Sequence, residues 1–254
     1  MKQPLPFGSW PSPVTAERLA GATIRLGQIA LRGDEIFWSE GRPQAQGRNV
    51  LVRRAAGGAL TDVNPAPFNV RTRAHEYGGG AFVLLEDGVV FSHDDDQQLY
   101  RVDATGEPKQ LTHDAAQRYA DAVVDTARNR LIAVREDHRA GATDAVATLV
   151  AIALDTGATE VLARGHDFFA SPALSPDGRQ LAWLGWDHPN MPWDGTTLWI
   201  ADVAPDGTLG APRRVAGGRA ESIFQPSWSP SGELHFVSDR TGWWNLYREH
   251  AGAV

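Results

Sequence analysis

"SPALSPDGRQLAWLGWD" (residues 171–187) is followed about 53 residues later by "QPSWSPSGELHFVSDRTG" (residues 225–242). Both stretches place a Ser-Pro-x-Gly turn directly before a short apolar strand, "LAWLGW" in the first and "LHFVSD" in the second. Pro176 and Pro230 preset φ at the first central turn position, and Gly178 and Gly232 accept the left-handed conformation that closes the turn. A turn and strand written twice in one order make repetition the first property to test.

Weaker copies lie upstream. Gly33-Asp34 precedes "EIFWSE", Asp87-Gly88 precedes "VVFSHD", and Arg128-Asn129 precedes "RLIAVRED". Aligned on Ile36, Val89, Leu131, Leu181 and Leu234, the units are spaced by 53, 42, 50 and 53 residues. A second hairpin recurs after each strand pair, around Gly57-Gly58, Thr105-Gly106, Asp155-Thr156-Gly157 and Asp206-Gly207. One unit therefore reads as four short strands, A to D, with aromatic and β-branched residues concentrated in B and C.

Four antiparallel strands repeating every 40–55 residues describe one blade of a β-propeller with WD40-like repeats. A thin sheet has two apolar faces and hides them only by packing against a sheet on either side. A β-sandwich also contains many short strands but does not repeat the same internal order. The expected fold is all-β, with units at about 24–68, 79–113, 119–165, 169–217 and 223–250. The fifth stops after "WNLYRE", its C strand, so the propeller is expected to be incomplete at about four and a half blades. Residues 1–20 read as a proline-rich N-terminal extension and 21–254 as the partial propeller.

The chain has 254 residues, is 42% hydrophobic, and carries a formal charge of -7, which argues against a nucleic-acid surface. It has no cysteine, and so no disulfide, thiolate metal site or cysteine nucleophile. No stretch approaches the roughly 20 apolar residues of a membrane span, and the start lacks the apolar core of a secretory signal. A cytoplasmic location without nucleic-acid or membrane partners is expected.

Two stretches carry a family resemblance. "FGSWPSPVTAERLAGATIRLGQIAL" and "NVRTRAHEYGGGAF" resemble the N-terminal propeller of prolyl oligopeptidase-type serine peptidases, and most closely the bacterial dipeptidyl-aminopeptidase/acylaminoacyl-peptidase branch. The Ser-Pro-Asp-Gly units resemble the repeats found there and in the periplasmic translocation protein of the Tol system. The similarity runs over essentially the whole chain, and the "RTRAHEYGGGAF" segment is its more specific part. The resemblance implies a propeller of seven or eight blades that caps a C-terminal α/β-hydrolase domain and admits only short peptides. The catalytic Ser, Asp and His belong to that domain, which is expected beyond residue 254. No G-x-S-x-G elbow occurs in this sequence, so the chain itself is expected to be non-catalytic. The alternatives are a propeller that only binds proteins and a Tol-type scaffold.

The candidate site is the segment joining the first two units. Gly78, Gly79 and Gly80 allow the backbone to turn tightly into an inner strand, which gathers Arg71, Arg73, His75, Glu76 and Tyr77 on one loop at a face of the ring. Glu76 could hold a peptide ammonium, and an arginine could hold a carboxylate or carbonyl bidentately. The competing reading is structural, with an Arg–Glu pair and a packed Tyr pinning adjacent blades. The His residues lack ligand spacing, and His93 beside Asp94, Asp95 and Asp96 reads as a polar B–C loop, so no metal or cofactor is expected. Trp183, Trp186, Trp193 and Trp199 read as blade packing with one long exposed loop, "DHPNMPWDGT", suited to contact a neighbouring domain. Trp243 and Trp244 read as core packing.

Overall fold

The structure, a computed structural model, describes residues 4, 6–9, 13–15, 23–76, 78–103, 105–139 and 144–249. Most of the N-terminal extension and Tyr77 lie outside the described residues. The chain folds into five antiparallel sheets whose strands follow one another in sequence order. The first holds β1 (Arg25–Arg32), β2 (Glu35–Arg42), β3 (Arg48–Arg54) and β4 (Leu60–Asp62). β5 (Phe82–Leu84), β6 (Val89–Ser92), β7 (Leu99–Val102) and β8 (Lys109–Gln110) form the second. The third holds β9 (Gln117–Asp125), β10 (Arg130–Asp137), β11 (Val146–Ala153) and β12 (Thr159–Ala163). In the fourth are β13 (Phe168–Leu174), β14 (Gln180–Trp186), β15 (Thr197–Asp202) and β16 (Arg213–Gly217). The fifth has three strands, β17 (Ile223–Trp228), β18 (Leu234–Ser238) and β19 (Asn245–Arg248). First strands pack on first strands, β1 on β5, β5 on β9, β9 on β13 and β13 on β17, so the sheets radiate from a common axis as propeller blades.

Both faces of each inner sheet are buried, and the B strands show why they lack polar alternation. In β10, Leu131 and Ala133 join the apolar cluster shared with the second sheet, while Ile132 and Val134 join the cluster shared with the fourth. In β14, Leu181 and Trp183 face the third sheet, while Ala182 and Leu184 face the fifth. A strand covered on both sides reads as a continuous apolar run, because successive side chains point to opposite faces.

The turns are made as their residues dictate. Ser175 Oγ accepts the amides of Arg179 and Gln180 at 3.2 and 2.9 Å, and Gly178 sits at φ +68°. Ser229 Oγ accepts the amide of Glu233 at 3.0 Å, with Gly232 at φ +84°. The serine thus satisfies amides that the tight turn leaves without a strand partner.

Arginines at the A–B turns tie one sheet to the next. Arg32 donates to the carbonyls of Leu85 and Gly88. Arg128 donates to Gly178 and Ala204, and Arg130 to Gly207, while the buried carboxylate of Asp125 holds both guanidiniums at 3.1 and 2.9 Å. Trp228 Nε1 makes a comparable link to the carbonyl of Ala173.

The outer faces of the first and fifth sheets are different. Ile29 and Leu31 on β1, and Phe224 and Leu246 on the fifth sheet, are each more than half exposed. Trp243 and Trp244, expected in the core, are 80% and 52% exposed, because they leave the fifth sheet on the side that no neighbouring sheet covers. Contiguous apolar surface of this kind drives association. We expect the chain to self-associate in sedimentation velocity at micromolar concentration, and Ile29→Lys with Leu246→Lys to shift it towards monomer; a monodisperse wild-type monomer would contradict this. Asp125→Ala removes the buried carboxylate that pairs with Arg128 and with the buried Arg130, and should cost about 3 kcal/mol in urea unfolding.

Candidate functional site

Antiparallel order sorts the connections. B–C loops and the links between sheets emerge on one face, and A–B and C–D turns on the other. The described residues of the link between the first two sheets (63–76 and 78–81), the loops around 93–98 and 187–196, residues 138–139 and 144–145, and the link 218–222 therefore share a face, and the chain enters β1 there.

On that face, residues 70–80 leave the first sheet and reach across to the third before entering β5. The segment is fixed by backbone and side-chain bonds together. Arg73 places its amide on Gln97 Oε1 and its Nη2 on the carbonyl of Asp94, both at 2.6 Å. Arg71 and Arg73 both approach the Asp94 carboxylate, at 3.8 and 3.4 Å. Thr72 Oγ1 donates to the carbonyl of Tyr119 at 2.7 Å. The amide of His75 donates to Glu136 Oε1 at 2.6 Å, and the other oxygen of Glu136 meets His138 Nε2 at 2.9 Å. Glu76 pairs with Arg118 at 2.7 Å, and this guanidinium holds the Glu76 carboxyl below the usual carboxylate range.

His75 and Glu76 occupy the left-handed region at φ +56° and +63°, and Gly78 follows at +93°. Such backbone for non-glycine residues is uncommon and is retained where surrounding bonds over-determine it. Gly79 and Gly80 answer a closer constraint. A Cβ on either would approach Asp121 Oδ1 to 2.9 or 3.1 Å, while that oxygen accepts the Gly80 amide at 2.6 Å. Asp121 Oδ2 accepts the amide of Ser171 at 3.0 Å, so one carboxylate joins the second, third and fourth sheets beside the axis. Asp121, Ser171 and Gln225 all have positive φ, each at a register shift in the first strand of its sheet.

The loop forms a wall of three cavities. The first, about 370 Å³, is lined by Glu76, Glu136, Asp144 and Asp167 together with His75, His138 and His188. The backbone amide of His188 and then its ring hold the Asp167 carboxyl below its ordinary range. The second, about 720 Å³, is bordered by His75, Gly78 and Gly79, and its lining is mostly apolar. Gly78 and Gly79 also border the third, about 570 Å³, which contains Arg25 and Arg71.

Arg71, Arg73, His75 and Glu76 are thus brought onto one loop, but they face different surroundings. Arg73 and Glu76 are engaged between sheets, whereas Arg71 reaches the cavity on the first-sheet side. Glu136, Asp144 and Asp167 were not singled out in the sequence, because their partners lie far away along the chain. His93 is buried, with its ring against Phe68 and Tyr100. Among the described residues no group of three or more His, Asp or Glu side chains is placed to hold a metal, and no helix is long and apolar enough to cross a membrane.

This geometry defines a β-propeller with a polar and aromatic cleft at one end of its axis. The Lipoprotein LpqB beta-propeller domain family matches residues 155–254. A comparison with curated proteins finds no match. A puromycin hydrolase mutant complexed with PGG superposes with a TM-score of 0.88 at 38% identity, over 98% of this chain and 41% of that one. A puromycin-hydrolyzing peptidase from Mycobacterium tuberculosis is 40% identical, with a TM-score of 0.86, over 99% of this chain and 41% of that one. TolB from Acinetobacter baumannii shares the fold alone, at 14% identity and a TM-score of 0.56 over 90% of this chain. By fold and sequence the chain belongs with the β-propellers of the prolyl oligopeptidase-type (S9) peptidases, and it spans about two-fifths of the length of those relatives.

Asp121→Asn keeps a residue that tolerates positive φ but removes one of two acceptors. It should lower stability by about 1–3 kcal/mol in urea unfolding, the cost of one unsatisfied amide; an unchanged midpoint would contradict the axial link.

Proposed function

We propose that this chain is the substrate-admitting propeller of a serine peptidase acting on short peptides, of the dipeptidyl- or acylaminoacyl-peptidase type, and that it works beside an α/β-hydrolase domain carrying the catalytic Ser, Asp and His. The propeller itself is non-catalytic in this reading. The observation that carries it is the loop 71–79, which borders an acidic cavity on one side and an arginine-bearing cavity on the other. A free peptide is a zwitterion. Its ammonium finds Glu76, Glu136, Asp144 and Asp167, and its carboxylate or carbonyl finds Arg71 and Arg25. Arg73 and His75 shape the loop between the two ends.

The face is also suited to a partner domain, since the B–C loop 187–196 carries the exposed side chains of Met191 and Trp193 there. A cap at this end of the axis admits ligands by size and excludes folded chains. The family kinship and the cavity pair together favour this reading over a propeller that only docks proteins.

Calorimetric titration of the chain with Ala-Ala-Ala and with N-acetyl-Ala-Ala-Ala tests the terminus-holding role. Glu76→Gln should weaken the free peptide about five- to tenfold and leave the acetylated one unchanged. Equal affinity of both peptides for wild type and variant would overturn the assignment. Reading the gene past codon 254 tests the partner: an in-frame hydrolase with a Ser elbow supports it, and a stop after one or two more blades favours a binding module.

A further inference from the structure

We propose that the groove between the rims of the third and fourth sheets is a second ligand site, and that it takes a flat aromatic carboxylate. The groove encloses about 420 Å³. It shares no lining residue with the cavities bordered by loop 71–79 and is therefore independent of the peptide reading. Its walls come from two sheets. Val161, Leu162 and Ala163 of β12 form one side, and Trp183 of β14 with Trp199 of β15 forms the other. Phe169 and Trp183 belong to the apolar cluster that these two sheets share, so the groove is an opening at the outer edge of that core.

Local backbone chemistry shapes both walls. Leu149 pairs with Ala163 but Val150 pairs with Val161, which leaves Leu162 as the extra residue of a bulge, and a bulge bends the strand that carries it. On the fourth sheet, the ring of His166 lies over Gly185, where a Cβ would stand 2.7 Å from the imidazole. Asp187 holds His166 Nδ1 at 3.0 Å, and the ring meets Phe169 and Trp199 at centroid distances of 5.7 and 5.6 Å. The imidazole is thus fixed as part of the wall by a missing side chain, an ion pair and two ring contacts.

The two ends of the groove differ, and the difference names the ligand. Arg164 and His166 lie on the link that follows β12, whereas Leu209, Gly210 and Pro212 lie on the C–D connection of the fourth sheet, at the opposite end. Arg164 is exposed and makes no ion pair or hydrogen bond among the described residues. His166 has its own counter-ion in Asp187, and no Asp or Glu is among the described lining residues, so the guanidinium is the charge left for a ligand. Trp199 Nε1 is buried and meets no acceptor among the described residues, so the wall holds an unpaired donor as well as an unpaired cation. Both call for an acceptor-bearing anion, and guanidinium matches a planar carboxylate. The remaining surface is two indoles, a phenyl ring and an imidazole, which reward a flat aromatic body through offset and edge-to-face contacts.

Calorimetric titration of the whole 254-residue chain with naphthalene-2-carboxylate, naphthalene-2-carboxamide and decahydronaphthalene-2-carboxylate tests this. Wild type should bind the aromatic acid about five- to tenfold more tightly than its amide, the worth of one charge-assisted contact at an exposed guanidinium. It should bind the saturated acid about threefold or more weakly than the aromatic one. Arg164→Gln, at an exposed position outside the packed core, should bring acid and amide to within about twofold of each other. Val161→Trp, at a 43% exposed position on the rim, places an indole in the groove and should weaken all three ligands about tenfold. Equal affinity of wild type for acid and amide, a preference for the acid that survives Arg164→Gln, or no binding of the acid at all would overturn the proposal. Undiminished binding to Val161→Trp would overturn it as well, because the acid would then sit elsewhere on the chain, such as the exposed faces of the outer sheets.

Discussion

The whole structure depends on burying both sides of sheets that are one strand-layer thick. A four-stranded antiparallel sheet of short strands cannot hide its apolar faces alone, and here it does so only against the sheets before and after it. The four apolar clusters lie between successive sheets, each drawing on residues from two of them. The burial unit is therefore the gap between blades and not the blade. This is why the B strands read as unbroken apolar runs, and why the outermost faces of the first and fifth sheets keep large side chains in water.

Apolar packing fixes the separation of the sheets but not their angle or height, since it is nearly non-directional. Direction comes from polar links at both ends of the sheets. On one face, arginines of the A–B turns reach carbonyls of the next sheet, and the buried Asp125 holds two of them in place. Towards the other face, Asp121 receives amides from two neighbouring sheets, and Thr72 and Glu136 tie the long inter-sheet link to the third sheet. Buried polar groups that are fully paired specify one arrangement among many of similar apolar burial.

The functional reading grows out of that second set of links. The loop that pins the sheets is the same loop that separates an acidic cavity, an apolar cavity and an arginine-bearing cavity. The pinning and ligand-holding readings of Arg73, His75 and Glu76 are consequently not rivals at every atom. The His75 amide is committed to Glu136 while its ring lines two cavities; Arg73 is engaged with Asp94 and Gln97, and Arg71 borders open space. A rigid loop on a rigid scaffold holds such groups at fixed separations, which recognition of a short ligand requires.

The repeat alone determined that the chain builds radially packed four-stranded sheets. Turn chemistry at Gly178 and Gly232, the apolar runs in the B strands, and the recurring hairpins are local properties that each residue expresses through its own backbone and its nearest neighbours. The loop 71–77 was legible as a cluster because its members are adjacent in sequence. Only the tertiary structure decided what surrounds that cluster. Glu136, Asp167, His188 and Trp186 reach it from other sheets, and Asp121 meets Gly80 and Ser171 at separations of 41 and 50 residues along the chain. Likewise Trp244 carries the same sequence signature as a core tryptophan, and its exposure follows from which sheet face it leaves and whether a neighbour covers that face. Contacts between sheets depend on how the blades stack around the axis, and that stacking is a sum over many weak, non-directional contacts that no single stretch of sequence records.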